Sequence, residues 1–182
     1  ASAGNACSLY LFDDVNDHSE NGWKFMVDPK LLELRKHFPH GAGISEVQRV
    51  RELGGELFDG EEVRLSMRTD YLCPSIIAEL KTSSRSFEKK GNTRSYLESM
   101  QAFTYMDTYC LPIMFLFSEI GIKEDENGVN VITVKKNGHA CAFPCASSSD
   151  RLRNCIRTLV PYLKSDEEMW ERVTHRADVD YF

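Results

Sequence analysis

Positive charge is scarce in this chain. Its 22 Lys and Arg stand against 28 Asp and Glu, for a net charge of −6. A strongly basic balance would point directly to nucleic acid, and that footprint is absent. Long apolar runs are also absent. The longest, Leu111–Phe117, suits a buried strand and falls far short of the ~20 residues that span a bilayer, so no membrane association is expected. The N-terminal Ala1-Ser-Ala-Gly-Asn5 has neither a basic nor an apolar segment of the kind a signal peptide needs, so none is expected. The missing initiator methionine suggests processing or a place in a larger chain; protein partners are a separate expectation. Six cysteines are too few for a disulfide scaffold, and several lie in apolar contexts where free thiols pack. A reducing, intracellular setting (cytoplasmic or nuclear) is the expectation. Internal repeats, linkers and low-complexity tracts are not evident.

What is present is ordinary for a globular protein. The 182 residues, 42% hydrophobic and 27% charged, predict one domain over 1–182, with a core at about 44–163. Leu9–Phe12 is apolar and Asp13–Asn21 reads as a loop. Lys30–Phe38 reads as a short helix with Pro29 in its first turn. Ser45 is placed to cap a second helix running to about Leu53, which Gly54-Gly55 would end. From Glu56 the period becomes two. Glu56–Phe58 and Glu62–Arg68 alternate around Asp59-Gly60, a hairpin signal. Ser75–Lys81 reads as a central strand, Thr93–Tyr109 as a helix, and Leu111–Ile120 and Val129–Val134 as two more strands. Ser149-Asp150 would cap a last helix, Arg151–Leu163.

Chemistry concentrates between Asp70 and Lys81, in Asp70-Tyr-Leu-Cys-Pro-Ser-Ile-Ile-Ala-Glu79-Leu80-Lys81. Residues alternate faces along a strand, so Glu79 and Lys81 project to one side, with Ala78 and Leu80 on the other. Two carboxylates and an ammonium at a strand end suit metal-assisted phosphodiester cleavage. The acids hold a hard cation through oxygen, and the lysine steadies or deprotonates a water. A second pattern follows on the next helix, Gln101-Ala-Phe-Thr-Tyr105, whose Gln and Tyr lie one helical turn apart.

Asp-x8-Glu-x-Lys resembles the signature of the PD-(D/E)xK nuclease superfamily, and Gln101-x3-Tyr105 resembles a motif of its RecB-like branch. Ala78-Glu-Leu-Lys-Thr-Ser83 is also similar to a motif of the cap-clearing decapping exonucleases. Their first acid, however, lies in a Glu-x-Asp pair, whereas position 68 here is Arg. The resemblance covers roughly residues 44–120. It implies an α/β fold with a restriction-endonuclease-like core, a mixed central sheet flanked by helices, and a nuclease acting on DNA or RNA with Mg²⁺ or Mn²⁺. By that resemblance Asp70 and Glu79 bind the metal, with the Leu80 carbonyl as a further ligand, and Glu46, on the preceding helix, as an additional acid. Lys81 activates water, Gln101 orients Lys81 or substrate, and Tyr105 lies on the substrate side.

Other residues weigh on this reading. Arg68 shares a side with Asp70 on a regular strand, where it would contact phosphate or repel a cation. Lys81, Arg85, Lys89, Lys90 and Arg94 against Glu88 alone give five minus one, a local +4. Lys89, Lys90 and Arg94 are thus candidate phosphate contacts. Phe87 is either a stacking platform for a base or a loop anchor. His40 competes with Glu46 as a ligand from a glycine-rich break. Cys7 with Cys141, Cys145 and Cys155 mimics an iron–sulfur layout of some RecB-family nucleases. The spacing of the last three is looser than that motif's, which favours incidental cysteines. Arg68 and the acidic balance also permit the alternative of a catalytically inactive nuclease-like binding or effector module.

Overall fold

The structure, a computed structural model, describes residues 2–53, 63–87 and 93–178. The protein is α/β, with a mixed seven-stranded sheet flanked by helices. The strands are β1 (Asp17–Glu20), β2 (Trp23–Val27), β3 (Ile44–Leu53), β4 (Val63–Leu72), β5 (Ile77–Ser83), β6 (Ile113–Glu124) and β7 (Val129–Ala142). Their spatial order is β1-β2-β7-β6-β5-β4-β3. β5 runs parallel to β6 and β2 parallel to β7, while β6–β7, β4–β5 and β1–β2 are antiparallel. Five helices accompany them among the described residues: α1 (Ser2–Asp13), α2 (Thr93–Leu97), α3 (Met100–Tyr109), α4 (Ala146–Lys164) and α5 (Glu167–Asp178). A 3-10 helix spans Pro29–His37.

The chain divides into two compact units. The first holds residues 1–47 and 68–144, and the second 48–67 and 145–182. The long strands β3 and β4 contribute residues to both. The second unit has its own buried set, Leu53, Met67, Leu152 and Ile156.

In the first unit, β5 and β6 are buried on both faces, as their apolar runs require. One face of the sheet presents Ala78, Leu80, Leu116 and Ile120 to a core that includes Leu11 of α1 and Leu31 and Leu34 of the 3-10 helix. Arg35 secures that layer. Its guanidinium donates to the carbonyls of Tyr10 and Leu11, at 2.9 and 2.8 Å, and pairs with Asp14 at 2.7 Å. Carbonyls at the end of α1 are thereby satisfied, and Asp14 stops the helix with φ 62°. The opposite face carries α2 and α3 over Phe115 and Phe117.

Four expected elements differ. Residues 45–53 form β3, not a helix. Ser45 donates its hydroxyl to Asp13 in place of capping, and Ile44, Val47, Val50 and Leu53, whose spacing fits a helix, serve a strand paired with β4. Thr93–Tyr109 is two helices. Ser99 donates to the Tyr96 carbonyl at 2.7 Å and accepts from Ala102 N–H at 3.2 Å, so it ends one helix and caps the next. The Asp13–Asn21 loop contains β1. The C-terminal helix begins at Ala146, with Cys145 as its N-cap, before the predicted Ser149-Asp150 cap. Gly54-Gly55 and the Asp59-Gly60 turn lie outside the described residues.

Candidate active site

β4 and β5 pair through only two residues each, Tyr71 with Ala78 and Leu72 with Ile77. Beyond them, side chains take over from the backbone ladder. Asp70 N–H donates to Glu79 Oε1 at 3.0 Å, and Leu80 N–H donates to Asp70 Oδ2 at 2.8 Å. Each carboxylate therefore holds the other's strand, which fixes the two acids side by side. Leu80, between Glu79 and Lys81, turns its side chain into the opposite core, as alternation requires.

Glu79 is 1% exposed. Its second oxygen, Oε2, accepts from Lys81 Nζ at 3.2 Å and from Gln101 Nε2 at 2.9 Å. Gln101 Nε2 also donates to the Tyr105 hydroxyl at 3.2 Å, and that hydroxyl donates to the Arg68 carbonyl. The route Arg68 carbonyl–Tyr105–Gln101–Glu79 ties α3 to β4 and β5 at once. Lys81 Nζ also stands 5.8 Å from the centre of the Phe115 ring, a cation–π contact that holds the ammonium over the sheet.

Two acids in so little water resist joint ionisation. Burial, then the charge of Asp70, pushes Glu79 up to about 7, against the pull of Lys81 and the Asp70 N–H. Asp70 is raised as well, by burial, and is partly held down by the Leu80 N–H, Lys81 and Arg68. Burial and the nearby Glu79 charge push the Tyr105 hydroxyl up to about 12, so it remains a donor at neutral pH.

Asp70, Glu79, Lys81, Gln101 and Tyr105 thus lie in one network, with Leu80 in its midst. Glu46 lies near it on β3, not on a helix. It has φ 54°, an uncommon conformation for a non-glycine residue, and its carboxylate meets Arg68 Nε at 2.7 Å. Burial raises its pKa, Arg68 lowers it, and Asp70 and Asp13 raise it. The ion pair gives Arg68 a partner other than the site itself.

Several expectations need correction. Tyr105, expected on the substrate side, is buried, and its hydroxyl is engaged by Gln101 and the Arg68 carbonyl. Phe87 is 5% exposed and packs on Phe117 at 5.0 Å, which makes it an anchor and removes it as a stacking platform. Arg94 lies on α2, with Nε 2.8 Å from Glu98. Lys89 and Lys90 lie outside the described residues. His40 packs among the rings of Phe38 and Tyr71. Cys7 is buried in the hydrophobic core, and burial pushes its thiol up to about 12. Among the described residues, no three His, Cys, Asp or Glu side chains stand together as a ready metal cage. Sequence reasoning missed Asp13, which approaches Glu46 from the end of α1. Nothing local in the sequence marks it.

No family model matches the chain, and no curated protein matches it. Among solved structures, one described as "Crystal structure of SSO0001" is similar over 70% of this chain, at 16% identity and a TM-score of 0.45. The chain spans 53% of that structure's length.

Proposed function

We propose that the protein is a divalent-metal-dependent nuclease that hydrolyses phosphodiester bonds of DNA or RNA, built on a restriction-endonuclease-like core. The observation that carries this reading is two carboxylates set side by side across the short β4–β5 ladder, each accepting a backbone N–H of the other's strand, with Lys81 Nζ on the second oxygen of the buried Glu79. The donor set is all hard oxygen, which fits Mg²⁺ or Mn²⁺ and not a thiolate-seeking metal. Asp70 and Glu79 would hold the cation, with the Leu80 carbonyl as a third donor and Glu46 as a reserve acid reached by releasing Arg68. When bound, the cation supplies Lewis acidity and lowers the pKa of a coordinated water.

The chain's own residues do the rest. Lys81 would stand beside the scissile group, where its side-chain nitrogen steadies the attacking water and offsets charge on the phosphate. Gln101 holds Glu79 Oε2 in place through its amide, and Tyr105 holds Gln101. Arg68, released from Glu46, would meet a phosphate oxygen.

The second reading, an inactive binding or effector module, has one observation in its favour. Glu79, Asp70 and Arg68 already have protein partners, as in a network that serves structure alone. Thermal unfolding in Mn²⁺ separates the two. A site that binds gains stability by mass action, roughly 2.7 kcal/mol at a hundredfold excess over Kd. Cleavage of labelled single- and double-stranded DNA and RNA, with Mn²⁺ or with chelator, is the direct test. No metal-induced stabilisation and no metal-dependent cleavage would refute the nuclease.

A further inference from the structure

The turn after Phe38 is built around one hydroxyl. Tyr71 Oη accepts the N–H of Gly41 at 3.0 Å and the N–H of Gly43 at 2.8 Å. Both glycines have a physical reason. Gly41 has φ 81°, in the left-handed region that other residues rarely adopt. Gly43 passes against the ring, where a Cβ would stand 2.5 Å from the Leu72 carbonyl oxygen and 2.7 Å from ring atoms of Tyr71. Three residues later Glu46 adopts φ 54°. Such backbone at a non-glycine residue persists only where its surroundings over-determine it. Here Tyr71 grips the chain on one side of Glu46. On the other, Ser45 donates to Asp13 and the Glu46 carboxylate meets Arg68.

Tyr71 is also the junction of three segments that carry acids. Its ring is 2% exposed, stacks on Phe12 at 5.1 Å and meets Phe38 edge-on at 5.4 Å. Phe12 precedes Asp13 at the end of α1, Gly43 comes three residues before Glu46, and Tyr71 itself follows Asp70. Tyr71 also pairs with Ala78, the neighbour of Glu79. Its side chain does not enter the site, since strand alternation turns it into the core and Asp70 to the other face. The ring needs no hydroxyl to pack. What the hydroxyl adds is the placement of the turn, and with it the position of Glu46 relative to Asp70.

We infer that Tyr71 is a positioning residue of the candidate metal site. Through the Gly41–Gly43 turn its hydroxyl holds Glu46 on the side of Arg68 and Asp70, where the carboxylate joins the cation once Arg68 turns to phosphate. The inference rests on the nuclease reading and makes Glu46 a working acid of that site.

The test is a cycle of Tyr71→Phe and Glu46→Gln, alone and together, read by calorimetric Mn²⁺ titration of the folded proteins. Tyr71→Phe keeps the ring and removes the acceptor. It should weaken Mn²⁺ binding about ten-fold, the low end of what losing a residue that supports a metal ligand costs. Glu46→Gln should lose a similar factor. The double variant should lose no more than either alone, because a displaced carboxylate and an absent one are equivalent. Gly41→Ala disturbs the same turn without touching Tyr71, since its left-handed backbone resists a side chain although no atom lies within 4 Å of the new Cβ. It should repeat the loss, and it replaces Tyr71→Phe if that variant does not fold. Wild-type Mn²⁺ affinity in the folded turn variant, with only a lower unfolding temperature, would overturn the inference and make the hydroxyl structural. Losses that multiply in the double variant would overturn it too, as would a Glu46→Gln protein that binds Mn²⁺ as wild type does. In each of these cases the nuclease reading stands while the wild-type protein binds Mn²⁺ and cuts. A wild-type protein that does neither would end both.

Discussion

Glu79 concentrates the site's electrostatics in one buried side chain. Its pKa in the folded protein, about 7, lies above its ordinary value of 4.5 because burial and Asp70 both oppose the charged form. The sign follows from linkage. Without metal, the folded state binds this proton more tightly than the unfolded state. Stability is therefore full below about pH 4.5 and falls as pH rises through about 7, by on the order of 3 kcal/mol at about 1.4 kcal/mol per pKa unit. Mn²⁺ affinity should run the other way, rising through the same window as the proton leaves. Glu79→Gln and Asp70→Asn should each abolish the Mn²⁺-induced shift and, at pH 8 without metal, be at least as stable as wild type. Calorimetric titration and thermal unfolding from pH 5 to 8 measure both effects. Unchanged Mn²⁺ affinity in the two variants would refute a shared metal site. Lys81 tests the other half of the chemistry. Lys81→Ala should remove cleavage while Mn²⁺ binding persists, because the ammonium acts on the water and not on the cation. Wild-type rates in that variant would sink its assignment.

At the scale of elements, the site depends on how α3 is tied to the sheet. Tyr105 and Gln101 form one bridge from the Arg68 carbonyl to Glu79, so their loss should not be additive. Tyr105→Phe leaves that carbonyl without its donor and should cost about 1–2 kcal/mol in denaturant unfolding. With Gln101→Ala added, the double variant should lose less than the sum of the two. Full additivity would mean that the two side chains act separately. The same elements show what was legible in the sequence. The alternation of Ala78–Lys81 and the helical spacing of Gln101 and Tyr105 are local patterns, and both hold, although the strand runs from Ile77 to Ser83 and not from Ser75 to Lys81. β3 was not legible, because Ile44, Val47, Val50 and Leu53 satisfy helical spacing and only the partner strand decides between helix and strand. Glu46 was consequently expected on the wrong kind of element, and its left-handed backbone had no signal in the residue type. The Ser99 break was hidden for a similar reason, since a serine within a helical pattern caps or continues depending on its hydroxyl's partner. The pairing of Arg68 with Glu46 depends on neighbouring strands, so sequence alone left Arg68 as an objection to a metal site.

For the whole molecule, the question is how a chain of net charge −6 would approach a polyanion. A bound cation inverts the sign locally, yet approach still needs basic residues somewhere on the surface. Lys89, Lys90 and Arg94 are the nearest concentration of them in sequence. Of these, Arg94 Nε is engaged by Glu98 at 2.8 Å, and Lys89 and Lys90 lie outside the described residues. Neutralising Lys89 and Lys90 should weaken binding by a similar factor for every nucleic-acid sequence. It should also flatten the plot of log K against log salt by about 1.5–2 units, at about 0.7–0.9 per lost phosphate contact. Adding Arg94→Ala should bring the total to no more than about 2–3 units, and Arg94→Ala alone should change the slope least, since Glu98 already screens that charge. The measurement is an equilibrium titration over a salt series in Ca²⁺. An unchanged slope in the triple variant would mean that these residues are a solvated surface and that the strand approaches the β4–β5 acids from another side.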